Sequence, residues 1–245
     1  MSEGASLGDF KSIMNDLQPT VIIAPHLDDA ALSVGAAILA GSLGEQPHIV
    51  VVFSISNYTL ETPGTGDVEA VTRTRRNEET TASRVMKARV EFLDYGEPLV
   101  RGACSDFGDL FNESFDPSTD PLYDQLVDEI RKIREGLQPK LMIFPLSLGN
   151  HRDHILLNST RLHLLGESET RIMFFEDLPY AGIMEQADII EAGSSKGLKP
   201  YAVPGVDLER KLLLLKTYKS QLDEFDFELV RMYHDMRTSE HLWGL

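Results

Sequence analysis

Two short polar clusters stand out because each follows an apolar run. The first is Pro25-His26-Leu27-Asp28-Asp29, directly after Thr20–Ala24; the second is Gly149-Asn150-His151-Arg152-Asp153-His154, after Lys140–Pro145. His151 and His154 are three apart, so one helical turn brings both toward a single point. Histidine is the commonest metal ligand, and a nearby carboxylate often orients it. His26, Asp29 and His154 make a set of two histidines and one carboxylate. Catalytic zinc uses three such ligands and keeps a fourth position open for water. Such a metal lowers the pKa of its water to about 7 and polarises a carbonyl. Asp28, beside a ligand, is then free to act as general base. His151 can stabilise an oxyanion or protonate a leaving amine. The same donors also suit Fe(II) or another divalent ion in place of Zn2+. Each cluster alone reads equally well as a turn, with Asp29 capping the next helix. Two of them, each closing an apolar run, point together to metal-dependent hydrolysis. The other histidines, His48, His163, His234 and His241, have no such company and read as structural or exposed.

The elements that position these clusters alternate in type. Thr20–Ala24, His48–Ile55, Val90–Leu93, Lys140–Pro145 and Arg171–Glu176 are short, apolar and β-branched or aromatic, and predict buried strands. Ala30–Ala40, Val71–Ala88, Leu122–Leu137, His154–Leu165, Asp207–Ser220 and Leu222–Met236 predict helices. Ser56–Glu69 and Asp94–Pro121 are rich in turn residues and predict long loops, which in compact domains often rim a site. Gly193–Pro200 predicts a connector. Continuously apolar strands alternating with helices imply an α/β protein with a mostly parallel sheet. Ligands of such sheets bind outside the carboxyl ends of the strands, where both clusters fall. No composition shift divides the chain, so residues 1–245 are expected to form one domain, with 1–19 as an extension before the first strand.

Charge and cysteine usage exclude other classes. The chain of 245 residues carries 23 Lys and Arg against 39 Asp and Glu, a net charge of −16. A surface this acidic repels phosphate backbones and anionic headgroups, so neither nucleic acid nor a membrane is an expected partner. One cysteine, Cys104, rules out an internal disulfide or a thiolate cluster and fits a reducing, cytoplasmic setting. The first twenty residues carry Glu3, Asp9 and Asp16 and no apolar run, so a secretory leader is not expected. There is no Gly-rich dinucleotide or phosphate loop. The sequence leaves a homo-oligomer open.

His26-Leu27-Asp28-Asp29 with His151-Arg152-Asp153-His154 resembles the paired motifs of the LmbE/PIG-L family of zinc-dependent N-deacetylases. Arg75-x-x-Glu78-x-x-x-Ala82, Phe175-Glu176-Asp177-Leu178-Pro179-Tyr180 and Lys216-x-Tyr218-x-Ser220-Gln221 resemble three weaker family segments, so the likeness runs from about Val21 to Leu242. The resemblance implies a Rossmann-like three-layer α/β/α fold and hydrolysis of the acetamide of an amino sugar or its conjugate, a small-molecule substrate. It implies His26, Asp29 and His154 as metal ligands and Asp28 as base. It implies His151 as the group stabilising the tetrahedral intermediate, with Asp153 tuning it. Leu27 replaces the family proline, Ala30 the glutamate after the Asp pair, Arg152 a proline, and Met86-Lys87 a Leu-Gly pair. Two rival readings share the motifs: an amidase for another amide or acyl bond, and a non-catalytic metal-binding relative, which Ala30 favours and the retained Asp28 and His151 oppose. Among the cations, Arg75 and Arg152 are the candidates for substrate contact, each weighed against pairing with nearby acids. Glu176 and Asp177 leave another strand end and read as site-lining or structural. Tyr218, Phe225, Phe227 and Tyr233 read as core or interface.

Overall fold

The computed structural model describes residues 17–164 and 169–245. Most of the expected N-terminal extension, and Leu165 of one expected helix, lie outside those residues. Among the described residues seven strands form one sheet: β1 (Thr20–Ala24), β2 (His48–Val51), β3 (Arg89–Phe92), β4 (Leu141–Pro145), β5 (Arg171–Phe175), β6 (Lys199–Ala202) and β7 (His241–Gly244). Their order is β3-β2-β1-β4-β5-β7-β6. The first five are parallel, and β7 runs antiparallel between β5 and β6. Every residue of β1 and β4 is buried. Burial on both faces is the reason these strands read as unbroken apolar runs.

The helices are α1 (Asp29–Leu39), α2 (Val68–Met86), α3 (Tyr123–Leu137), α4 (Arg152–Thr160), α5 (Gln186–Ser194), α6 (Leu208–Leu215) and α7 (Glu224–Arg237). α1 packs on α2 and α6, and α3 packs on α4. The chain winds outward from β1 to β3, returns to β4 and winds the other way to β5. Right-handed crossovers therefore put α1 and α2 on one face and α3 and α4 on the other. This is the expected α/β fold. β1 and β4 are neighbours from which the chain departs in opposite directions, so a crevice opens at their carboxyl ends. Both polar clusters begin there.

The far edge of the sheet departs from expectation. Gly193–Pro200, expected as a connector, holds the end of α5 and the start of β6. The strand β7 was not expected at all. Its four residues carry no periodicity; they become a strand because Leu242 and Trp243 pair with Phe175 and Phe174. Trp243 is fully buried and donates its indole N–H to Glu176 Oε1 at 2.8 Å. A Cβ on Gly193 would lie 2.2 Å from the Trp243 ring, so only glycine fits there. Two boundaries also move. β2 ends at Val51, and Val52 and Phe53 continue as buried chain donating to the carbonyls of Ala24 and Pro25, each at 2.9 Å. The helix expected to run to Ser220 stops at Leu215, which frees Tyr218, Ser220 and Gln221 for contacts with α2.

Buried charges tie the edge to the core. Val34 breaks helical geometry inside α1, and the amides of Ala36 and Ala37 donate to Glu240 at 3.1 and 2.8 Å. Lys211 Nζ meets the same carboxylate at 2.6 Å. Glu176 likewise accepts from Tyr233, Arg237 and Trp243, clamping α7 and β7 to β5. Breaking a buried pair on one side leaves an uncompensated charge. Lys211→Met is therefore expected to destabilise the fold by about 3–5 kcal/mol, read from the urea midpoint at unchanged slope.

Candidate active site

The first cluster owes its shape to the start of α1. Asp28 occupies the cap position but its side chain caps nothing. Asp29, which the sequence offered as a cap, instead turns back, and its Oδ2 accepts the backbone N–H of His26 at 2.7 Å. That turn leaves both carboxylates at the crevice. In the second cluster His151 caps α4, its Nδ1 accepting the Asp153 amide at 3.2 Å, so His154 lies one turn along the same short helix.

Asp29 Oδ2 lies 3.3 Å from His26 Nδ1 and 3.4 Å from His154 Nε2. Ligands held at roughly 2.0–2.1 Å in tetrahedral geometry stand about 3.3–3.4 Å apart, so both separations from Asp29 match those of ligands to one small divalent cation. A nitrogen of His151 joins the group, all three imidazoles offering atoms within 4.8 Å of one another. His154 Nε2 is buried and has no hydrogen-bond partner, a costly state for a polar atom that a metal ion would relieve. Each candidate histidine ligand has its other nitrogen on a carboxylate: His26 Nε2 on Asp153 at 3.1 Å and His154 Nδ1 on Asp177 at 2.6 Å. Such carboxylate–histidine pairs are the usual support of a metal ligand. Burial works against charge on His26, but Asp153 and Asp29 override it and raise its pKa to about 10. Burial also resists ionisation of Asp29, yet His154 and His26 hold it below the usual carboxylate range. The pocket floor therefore demands positive charge. Asp177→Asn should weaken metal affinity by about 10–100-fold, measured by competition with a chromogenic chelator.

Asp28 faces the cavity beside this group. Burial raises its pKa to about 7, the Asp29 charge adding to the shift and Arg75 opposing it. Arg75 approaches Asp28 Oδ2 at 3.9 Å. Its other donors are committed: Nε to Gln221 at 2.6 Å, and Nη1 to Ser56 and Glu97, each at 2.5 Å. Burial, then the charges of His26 and His154, hold the His151 pKa well below its ordinary value.

Several expectations about individual residues change. Asp153, expected to tune His151, hydrogen-bonds it only through its backbone amide, while its charge favours protonation of the ring against the larger effect of burial. Its carboxylate bonds His26 and, at 2.6 Å, Arg101. Burial resists ionisation of Asp153, but Arg101 and His26 bring its pKa down to about 2. Arg152, a candidate for substrate contact, does not line the cavity. It donates to Asp120 at 3.2 Å and to the Ala103 carbonyl at 3.2 Å, and its guanidinium lies 4.1 Å over Phe115. It braces the loop between β3 and α3 because Asp120 and Phe115, both in that loop, reach it first. Of the three arginines near the start of α2, Arg73 is exposed beside Glu69, Arg76 pairs with Asp94, and Arg75 lines the cavity. Glu176 is a clamp, whereas Asp177, its neighbour, supports His154. The two weak motifs on α2 and after α6 interlock. Tyr218 donates to Glu79 at 2.7 Å, Ser220 to Glu78 at 2.7 Å, and Gln221 joins Glu78 to Arg75.

Residues that sequence reasoning missed come mainly from the long loop. Glu97 and Arg101 sit in a turn-rich stretch without periodicity, and nothing local marks them. Tyr180 was visible only as part of a weak segment. Its ring stacks on His151 at 6.3 Å and 19°. Gly149 makes room for it: φ is +78°, and a Cβ there would lie 2.5 Å from Tyr180 Cβ. His26, Asp28, Asp29 and His151 open into a cavity of about 300 Å³, walled by Tyr58, Leu99, Phe107, Phe111, Tyr180 and Leu222, with His154 buried behind them.

With this geometry in place, comparison identifies the class. The family model described as PIG-L, GlcNAc-PI de-N-acetylase, matches residues 21–165. The chain belongs to this family. A 2'-N-acetylparomamine deacetylase of Streptomyces fradiae is 25% identical over 232 residues, covering 91% of this chain and 80% of that protein. Among solved structures, a teicoplanin deacetylase in a zinc-inhibited form superposes with a TM-score of 0.67 at 20% identity, covering 91% of this chain and 96% of that one. An A40926 pseudoaglycone deacetylase superposes at 0.68 with 22% identity, covering 92% and 95%. An N,N'-diacetylchitobiose deacetylase of Pyrococcus horikoshii superposes at 0.61 with 18% identity, covering 97% and 86%. At these identities the structures establish a shared fold.

Proposed function

We propose that this protein is a divalent-metal-dependent N-deacetylase that cleaves the acetamide of an amino-sugar conjugate and releases acetate. The observation that carries this reading is the approach of His26 Nδ1 and His154 Nε2 to Asp29 Oδ2, with His26, Asp29 and Asp28 lining one cavity. His26, Asp29 and His154 would hold the metal, and zinc is the ion this donor set suits best in hydrolysis. The bound ion supplies Lewis acidity, lowering the pKa of water and polarising the acetamide carbonyl. Asp28 takes the proton of the attacking water. Arg75, tied to Glu97, Ser56 and Gln221, keeps the Asp28 carboxylate in place. His151, next to the reacting carbonyl, stabilises the developing oxyanion or delivers the proton that lets the amine leave. Asp153 and Asp177 hold the two histidine ligands in orientation. The relatives named above act on paromamine-, teicoplanin-, pseudoaglycone- or chitobiose-derived acetamides, which supports an amino-sugar conjugate as substrate here. No helix among the described residues is long and apolar enough to cross a membrane. The single cysteine accords with work in a reducing cytoplasm.

The test is acetate release from a panel of N-acetylglucosamine conjugates, before and after chelation and with Zn2+ or Fe2+ restored. Chelated protein should be silent and should recover with one of the two ions. Acetate release that chelation leaves untouched, or none from any acetamide with metal bound, overturns the reading.

A further inference from the structure

The charge lining the cavity is uneven in a way the reaction does not require. Four carboxylates face it, those of Asp28, Asp29, Glu97 and Asp226, against one guanidinium, Arg75. Among the described residues no lysine lines it, and Arg75 has Nε and Nη1 engaged by Gln221, Ser56 and Glu97, with only 4% of its side chain exposed. With all four carboxylates ionised, a bound divalent ion and Arg75 would leave the cavity one net negative charge. Among the described residues, Arg75 is the one lysine or arginine on the lining, and its free nitrogen, Nη2, is turned toward Asp28 at 3.9 Å. The mouth is apolar and aromatic. Phe107 and Phe111, both on the lining, are 37% and 46% exposed. Both are held in place: Phe107 edge-on to Tyr58 at 5.7 Å, Phe111 edge-on to Tyr180 at 5.6 Å and to His151 at 5.4 Å. Asp226, at the start of α7, lines the same cavity and has one carboxylate oxygen on the Asp223 amide at 3.0 Å.

Building on the deacetylase reading, we propose that the substrate is an amino-sugar conjugate whose second group presents an apolar face and an ammonium, and not a phosphate. Phe107 and Phe111 form the platform for that face, and Asp226 with the residual negative charge of the cavity attracts the ammonium. Aromatic and cation contacts of this kind are standard means of holding amine-bearing ligands.

Three aryl N-acetylglucosaminides that differ only in the para substituent test this: aminomethyl, methyl and phosphate. The expected order of kcat/KM is aminomethyl, then methyl, then phosphate. Each step should be about two- to fivefold and should shrink as salt rises. Asp226→Asn should narrow the aminomethyl-to-methyl ratio. Phe107→Ala with Phe111→Ala should slow all three aryl glycosides relative to free N-acetylglucosamine. The same three aryl groups on glucose, which has no acetamide, are measured as ligands of the metal-loaded protein by calorimetry. Their affinities should fall in the same order. Phosphate binding as well as or better than aminomethyl, or a ratio unmoved by Asp226→Asn in the calorimetry, overturns the inference. The binding order without acetate release from any glycoside leaves this inference standing and overturns the deacetylase reading instead.

Discussion

Asp28→Asn is expected to lower kcat for acetate release by about 10²–10⁴-fold while metal content stays at the wild-type level. Asparagine has the size and shape of aspartate but no basic carboxylate, so the attacking water keeps its proton. Little else should change. The Asp28 side chain caps no helix, so α1 keeps its start. Arg75 keeps Gln221, Ser56 and Glu97 as partners, and only its 3.9 Å approach to Asp28 is weakened. His26, Asp29 and His154 are untouched. The checks are kcat against KM and metal analysis on the same preparation. A fully active variant sinks the assignment of the base; a variant that has lost its metal places Asp28 among the ligands instead.

The second large effect is expected at His154. His154→Ala should reduce bound metal to a small fraction of one ion per chain and abolish acetate release. The reason lies on both sides of the ring. Nε2 is one of the three converging donor atoms, and Nδ1 is held by Asp177 at 2.6 Å. Removing the imidazole takes away a ligand and leaves the buried Asp177 carboxylate with the Leu148 amide as its remaining partner. A metal that binds only the folded state stabilises it by about 4 kcal/mol at a thousand times its Kd. Added Zn2+ should raise the melting temperature of the wild type and leave that of the variant unmoved. A variant that keeps a full ion and its thermal shift removes His154 from the ligand set. Asp177→Asn should fall between, because the ligand is present but less well held.

Much of the site was legible because it is local. His26, Asp28 and Asp29 lie within four residues, as do His151 and His154, and each group follows a strand that burial on both faces makes apolar. Such patterns need only a short window. The supporting residues were not legible for the converse reason. Arg101 and Glu97 come from a loop with no periodicity, and their roles exist only because that loop folds over the crevice. Asp177 and Glu176 are adjacent in sequence yet bond His154 and the sheet edge respectively, a division set by which way each side chain leaves β5. Arg152 lies inside the second motif, but the loop residues Asp120 and Phe115 capture it.

By itself the sequence determined the α/β class, the two strand-end motifs and the chemistry their residue types permit, since all three follow from hydrophobic periodicity and short spacings. Only the tertiary structure decided that β1 and β4 are neighbours, so that residues more than a hundred positions apart meet within 3.4 Å. It also decided that Asp153 and Asp177 hold the histidines, that Arg75 is locked among Glu97, Ser56 and Gln221, and that β7 closes the sheet through Trp243. Each of these depends on contacts between distant segments, whose pairing is chosen by the burial of the whole core rather than by any stretch of the chain.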